Sequence, residues 1–526
     1  MTMNDYDVAV VGYGPGAQTL AALLACKGHR VVVFERYPQL YNLPRAGHID
    51  HEAVRMVQSV GDAESLVATM WEVREEYVWV NAQGQRLMLQ PAHAPTEAVS
   101  GWFSDYTLWQ PHLESALDKG ARAAGAEINF GWEAVGLQQD ESGVQLTVAR
   151  TEQAAGGTLR RTEDYRQVRA SYVVGADGAS SFVRTTLGIA REDLGFNERW
   201  LDVDLRTLRP VKFKINLGQI CDPARPRLVM PMGKSHRRFE WMLHPEETIE
   251  QMEKPETAWT LLEEFGVTPE THEIARDLVY TFQARIARRW RVGRVFISGD
   301  AAHTMPPFAG QGALSSMRDS NNLAWKLSAV LRGRAAEAIL DTYQLERHPH
   351  VRAWTDISLA EGRVSCELDP VKAAERDRRL LSGEKLPHPD PPILTGGIVD
   401  SSPLAGTLGL QARVNSNEGT GRFDDVLGPS RFSLITMGGD ATSVLSETQR
   451  SRLEALGAIV TEILPASASP RPGAVLDADG KYQQYFTAHG IAAVVNRPDF
   501  YVFGTAANLA QLPSLVDRLE SHLRRP

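Results

Sequence analysis

The sequence predicts an α/β protein of the Rossmann type, with a β-sheet insertion in its core domain and a second, smaller α/β unit at its C-terminal end. Three observations predict this. The chain begins with an apolar strand, a glycine-rich turn, an apolar helix and a second strand. Two later apolar strands, near 173 and 295, also run into Asp/Gly turns followed by helices. Four prolines between 387 and 392 then separate the core from a strand–helix–strand pattern.

Asp7 to Val11 reads as a short buried strand, Gln18 to about Lys27 as an apolar helical stretch, and Val31 to Phe34 as a strand ending in Glu35 and Arg36. Between the first two lies Gly12-Tyr13-Gly14-Pro15-Gly16-Ala17, the GxGxxA form of the dinucleotide fingerprint. Gly12 permits the tight turn. Gly14 lets backbone approach a pyrophosphate, which the positive helix end favours. Pro15 and Gly16 complete the turn, and Ala17 is small enough for close helix–strand packing. Glu35, 23 residues after Gly12, is placed to accept hydrogen bonds from ribose hydroxyls. The fingerprint alone does not separate FAD from NAD.

Val173 to Arg184 is an apolar strand running into Asp177-Gly178 and a helix start. Val295 to His303 repeats the pattern with Gly299-Asp300, then leads through Pro306-Pro307-Phe308-Ala309-Gly310-Gln311-Gly312 into a helix around Asn321 to Leu327. In this order and at these separations the three motifs resemble those of the single-component (class A) FAD-dependent aromatic hydroxylases, the p-hydroxybenzoate and phenol hydroxylase family. The likeness covers roughly residues 5 to 395. It is greatest to the 3-(3-hydroxyphenyl)propionate hydroxylases, through Cys221 to Pro226, Arg237 to Met242 and Gly299 to Gly312. The resemblance implies a glutathione-reductase-like FAD domain. In it Asp177 and Gly178 serve flavin and nicotinamide, and Asp300 binds the ribityl chain. It also implies that Arg45 lies near flavin and pyrophosphate, and that Gln110 contacts FAD from a helix start. Gly310 to Gly312 offer N–H groups and a positive helix end to the flavin pyrimidine edge. His48 stands where such relatives usually carry a small residue.

The FAD domain is expected to be discontinuous, over 1–75, 100–190 and 275–395. Strand-rich 76–99 and 191–274 would form a substrate-binding sheet. Thr151 to Arg166 reads as a hairpin or exposed loop. Residues 400–526 resemble the thioredoxin-like C-terminal domain of many such hydroxylases. Cysteines occur only at 26, 221 and 366, so that unit has none, which excludes thiol–disulfide chemistry there. Cys26, at the end of an apolar run, is expected in the core.

A net charge of −9 argues against nucleic acid and anionic membrane as partners. No apolar run reaches about 18 residues, no metal-ligand spacing is present, and no leader-like segment precedes the first strand, so the cytoplasm is the expected compartment. By the resemblance, NADH or NADPH reduces FAD, and a flavin C4a-hydroperoxide formed with O2 hydroxylates a phenol. Arg45, His48, Pro307 and Phe308 are the candidate catalytic group: Arg45 for nicotinamide and flavin, His48 as proton relay, and Pro307 and Phe308 beside the ring. Phe308 equally fits core packing. One of Arg237 and Arg238 is a candidate for a substrate carboxylate, with the other, or both, solvated. A homodimer is common among the relatives. A tailoring monooxygenase of a larger polycyclic phenol, or a flavin-binding aromatic sensor without turnover, is the alternative reading.

Overall fold

A computed structural model describes residues 5–93, 96–153, 158–384, 391–417 and 419–524. The first sheet has Tyr6–Val11 between Leu159–Gly175 and Val31–Glu35, all parallel. Val295–Ile297 extends it parallel on one side and Glu127–Phe130 on the other. Val8, Ala9, Val10, Val32 and Val33 are fully buried, as parallel strands covered on both faces require. The cradle helix Pro15–Cys26 packs on the long helix Gly312–Leu331 and on Gln110–Ala123. Val144–Gln153 and Leu159–Gly175 pair as an antiparallel hairpin, so the polar 151–166 stretch is a strand pair; its tip lies outside the described residues.

The second sheet gathers eight strands from three separate stretches of chain: Tyr77–Val80 and Arg86–Gln90, four strands between 191 and 242, and His272–Ala287 with His303–Thr304. Its core is Leu201, Val203, Phe239 and Trp241, covered by the helix Pro255–Leu262. The boundary drawn at 275 falls inside the strand His272–Ala287, which stays paired to Arg191–Thr207 along most of its length. Its alternation of polar and apolar residues carries no mark of where one domain yields to the next.

The C-terminal unit holds a mixed seven-stranded sheet, with Ser433–Met437 parallel to Ile459–Leu464 and antiparallel to Ala493–Asn496. Its last helix starts at Leu512, after a turn capped by Asn508. Pro387 and Pro389 lie outside the described residues. The unit is clamped to the core by buried ions. Glu346 takes hydrogen bonds from Lys326 (2.8 Å), Arg497 (2.7 Å) and Asn322 (2.7 Å). Arg55 grips Asp424 with two nitrogens, at 2.7 and 3.0 Å. Cys26 is exposed, contrary to the core placement: burial of the cradle helix stops at Ala25, one residue short of the apolar run. Among the described residues no helix is long and apolar enough to cross a membrane.

Candidate active site

The glycine turn is shaped by its neighbours as well as by any ligand. Gly12 has φ +93°, and a Cβ there would meet the Ala176 carbonyl at 2.4 Å. Gly16 presses on Ser316 of the long helix, where a Cβ would fall 2.0 Å from Oγ. Gly16 therefore performs the close helix packing, beside the buried Ala17. Gly14 differs: it is exposed at the helix N-terminus, and a Cβ would meet nothing within 4 Å. No protein contact demands glycine there, the open space leaves room for an incoming group, and helix-end N–H groups suit a phosphate. Pro15 is the first helical residue, where its missing N–H costs nothing.

Glu35 accepts N–H bonds from Tyr13 (2.8 Å) and Tyr37 (3.0 Å), one on each carboxylate oxygen. Each oxygen keeps a lone pair for a ribose hydroxyl. Burial pushes this carboxyl above its ordinary range, against those N–H bonds. Arg36, next to it, is exposed over the Tyr37 ring.

The two Asp/Gly turns meet beside this cradle. Asp177 turns inward, accepting from Ser181 Oγ (2.5 Å) and Val183 N (3.1 Å), so its carboxylate shapes the loop. Gly178, at φ +80°, has open space where a Cβ would stand. Arg184 links the turns by donating to the carbonyls of Ala179 (2.8 Å) and Ala301 (3.0 Å). Gly299, at φ +60°, packs on the same Ser316 as Gly16. Asp319, buried in the long helix, accepts from Gly299 N (3.1 Å), His303 (2.7 Å) and Arg347 (2.9 Å). His303 is thus a brace for the turn. Asp300 alone in this turn is exposed.

Arg45 lies in the same cleft. Its guanidinium sits 4.6 Å from the centre of the Tyr41 ring, and against the opposing effect of burial, Tyr280 and Asp300 hold its proton more tightly than usual. Gln110 is buried, and its Oε1 accepts from the backbone N–H groups of Arg45 (2.8 Å) and Ala46 (2.6 Å) while its amide donates to Glu114 (2.7 Å). Its side chain is therefore committed to holding the Arg45 loop, which limits direct contact with a cofactor. Arg238 supports that loop from the second sheet: it donates to the Arg45 carbonyl at 2.7 Å and grips Asp204 at 2.7 and 2.9 Å. Arg237 binds the side chain and carbonyl of Asn216. Both arginines are buried and engaged, so neither is solvated and neither is free for a substrate carboxylate. Alternation along a strand separates faces but cannot say that both faces are covered.

His48 opens a short strand, His48–Asp50, paired to Asp105–Thr107. Its Nε2 lies 2.7 Å from Asp105 Oδ1, and His93 contacts the other Asp105 oxygen. On the opposite side, His48 Nδ1 faces the Gly310 carbonyl at 3.4 Å, and a Cβ on Gly310 would come 2.9 Å from that nitrogen. Burial opposes the charge on His48, but the Asp105 hydrogen bond outweighs it and holds the imidazole above its ordinary value. Neither Asp105 nor His93 stood out in the sequence: a carboxylate 57 residues away becomes a partner only through strand pairing. The Gly310 loop leads to the N-terminus of the long helix. There Gln311 accepts from Arg318 (2.7 Å), which is itself ion-paired to Asp50 and Glu52.

Pro307 is exposed at the cleft, whereas Phe308 turns away. It packs edge-on against Phe196, Trp200 and Phe282, with Gly362 beneath its ring. Of its two readings, packing is the one the geometry favours.

Known proteins resemble this chain along nearly its whole length. A family model described as "FAD binding domain" matches residues 5–358, and one described as "HcaD C-terminal domain" matches 406–522. The chain is 37% identical over 519 residues to a probable NADH-specific resorcinol 4-hydroxylase of Rhodococcus jostii (strain RHA1), covering 98% of this chain and 94% of that one. It is 33% identical over 531 residues to a 3-(3-hydroxy-phenyl)propionate/3-hydroxycinnamic acid hydroxylase of Mycobacterium avium (strain 104), covering 96% and 90%. The structure of aklavinone-11 hydroxylase with FAD and aklavinone is similar at a TM-score of 0.77 and 24% identity, covering 99% of this chain and 100% of that one.

Proposed function

The chain belongs to the family of FAD-dependent aromatic hydroxylases, and from that premise we propose that it hydroxylates a compact phenol of the resorcinol or 3-(3-hydroxyphenyl)propionate kind, with O2 and a nicotinamide as co-substrates. The observation that carries this reading is His48, set between the Gly310 loop and the Asp105 carboxylate. A phenol ring is attacked more readily once its hydroxyl begins to lose its proton. A histidine whose Nε2 is held by a carboxylate is suited to take it through Nδ1, which has only the long 3.4 Å approach to the Gly310 carbonyl.

Bound FAD supplies the redox and oxygen chemistry. Gly12, Gly14, Pro15, Gly16 and Ala17 would hold its pyrophosphate, Glu35 and Arg36 its adenosine end, and Asp300 its ribityl hydroxyls. The Gly310 N–H is held by the Pro307 carbonyl at 2.7 Å. The backbone N–H groups of Gln311 and Gly312, at the positive end of a 20-residue helix, would therefore be the donors offered to the flavin edge that carries charge when reduced. Arg45 would meet the nicotinamide and flavin, with Gln110 and Arg238 fixing its loop. Asp177, Gly178 and Gly299 shape the turns. Pro307 would border the ring, and the second sheet would roof the substrate. Asp105 stabilises the imidazolium once His48 has accepted the proton.

The C-terminal unit supports a thioredoxin-like reading through its mixed sheet, with a structural or dimer-forming role, and the expected setting is the cytoplasm. A larger phenol has less support: the aklavinone-11 hydroxylase likeness carries the fold alone. The test is nicotinamide oxidation by the FAD-loaded protein against a panel of phenols, with mass spectrometry of products. The expected result is one phenol that accelerates oxidation and gains one oxygen atom. Oxidation unaffected by every phenol, or yielding only hydrogen peroxide, overturns the reading.

A further inference from the structure

A cavity of about 320 Å³ lies at the far end of the cradle helix, roughly 18 Å from the glycine turn for 12 helical residues. It is walled on one side by the C-terminal ends of the cradle helix and the long helix, and on the other by the C-terminal unit. Four cations line it: Lys27, Arg332, Arg334 and Arg431. Each is bonded to backbone carbonyls alone. Lys27 donates to Ser430 O (2.6 Å), Arg431 to Gly457 O (2.8 Å), Arg334 to Leu456 O (3.3 Å) and Arg332 to Lys27 O. None forms a salt bridge with a carboxylate among the described residues, in a chain whose net charge is −9.

Helix ends account for part of this. Lys27 and Arg332 cap the two helices, and each C-terminus carries about half a negative charge. Two such ends offset about one of the four positive charges, leaving roughly three. Burial, then the neighbouring guanidinium of Arg332, push the Lys27 ammonium down to about 8, which is what cations gathered without a counter-charge do to one another.

Two further observations point to a ligand. The indole N–H of Trp325, a residue 3% exposed, and the hydroxyl of Ser430 both belong to residues in the cavity wall, and both are buried with no hydrogen-bond partner. Ser430 is also held at φ +53°, a conformation that a residue with a Cβ adopts at a cost. Each unpaired buried donor costs about 1–3 kcal/mol, which an acceptor oxygen in the cavity would relieve.

We propose that this cleft binds a compact dianion of the phosphate type, as free phosphate or as a phosphomonoester whose organic part lies on the apolar wall. The ligand would bridge Lys27 and Arg332 of the core to Ser430 and Arg431 of the C-terminal unit, tying the two together at a site remote from the flavin.

The test uses the FAD-loaded enzyme, so that the nucleotide cradle is filled. Inorganic phosphate and phenyl phosphate are titrated against sodium chloride of equal ionic strength, with thermal unfolding and peptide-resolved alkylation of the exposed Cys26 by iodoacetamide as readouts. The expected result is a saturable rise in Tm and a saturable slowing of Cys26 alkylation. Either effect should weaken about tenfold in Arg431→Gln and in Arg334→Gln, whose side chains are exposed and tolerate change, but not in the distant Arg160→Gln. Tighter binding of phenyl phosphate identifies a phosphomonoester; equal or weaker binding identifies free phosphate. No saturation beyond the chloride control, or unchanged affinity in both cleft variants, overturns the proposal.

Discussion

At the scale of single residues, His48 and Arg45 divide the work of the cleft, and each can be removed separately. His48→Ala should lower kcat by about 10²-fold, the usual loss for a positioned acid–base group, while FAD stays bound. The pH–rate profile gives a finer check. His48 accepts a proton only when neutral, and the Asp105 bond, with a smaller contribution from Asp50, holds its pKa above the ordinary 6.5 against burial. Activity should therefore rise with pH through that raised value. Asp105→Asn should move this acid limb to lower pH, and an unmoved limb would remove the pair from the mechanism. Arg45→Ala should slow flavin reduction by tenfold or more, about 1.4 kcal/mol or above, with a smaller effect on FAD affinity. Stopped-flow absorbance and a flavin fluorescence titration separate the two quantities.

At the scale of elements, the glycine turn was legible because its chemistry is local: strand, turn, helix and terminal acid lie within 30 residues. Its division of labour was not. Gly12 and Gly16 answer to Ala176 and Ser316, which are remote in sequence, and only Gly14 answers to open space. Gly14→Ala should leave the unfolding temperature of FAD-free protein nearly unchanged and cut FAD retention on gel filtration. Gly12→Ala should cost about 2 kcal/mol or more of stability, from its positive φ and the Ala176 carbonyl. The same distinction explains what else escaped the sequence. Asp105, Arg184 and Asp319 act through pairings and turns made by distant segments, while a residue type alone could not show that Phe308 points into an aromatic cluster and Pro307 into the cleft.

For the whole molecule, the ion cluster joining core to C-terminal unit ties stability to pH. Glu346 is fully buried, and although burial opposes ionisation, Arg497 and Lys326 hold its carboxyl down at about 2, below the ordinary 4.5. A carboxyl depressed on folding contributes stability that is complete above about pH 4.5 and lost as pH falls towards 2. Glu346→Gln should destabilise by about 3 kcal/mol, since it strands the buried Lys326 while Arg497 keeps Asp499, and should flatten the acid side of the stability curve measured by urea unfolding. The strand pairings have another consequence, for synthesis. Val8 lies beside Tyr172, Val173 beside Val295, and the second sheet takes its last strand at His303–Thr304. At translation rates of about 5–20 residues per second, Val8–Val10 waits roughly 8–33 s on the ribosome for its neighbour at Tyr172–Val174, and Val31–Val33 roughly 5–19 s for Glu127–Phe130. Such a nascent chain depends on chaperones that shield it, and its yield in a heterologous host should rise when growth is cooled and those chaperones are supplied.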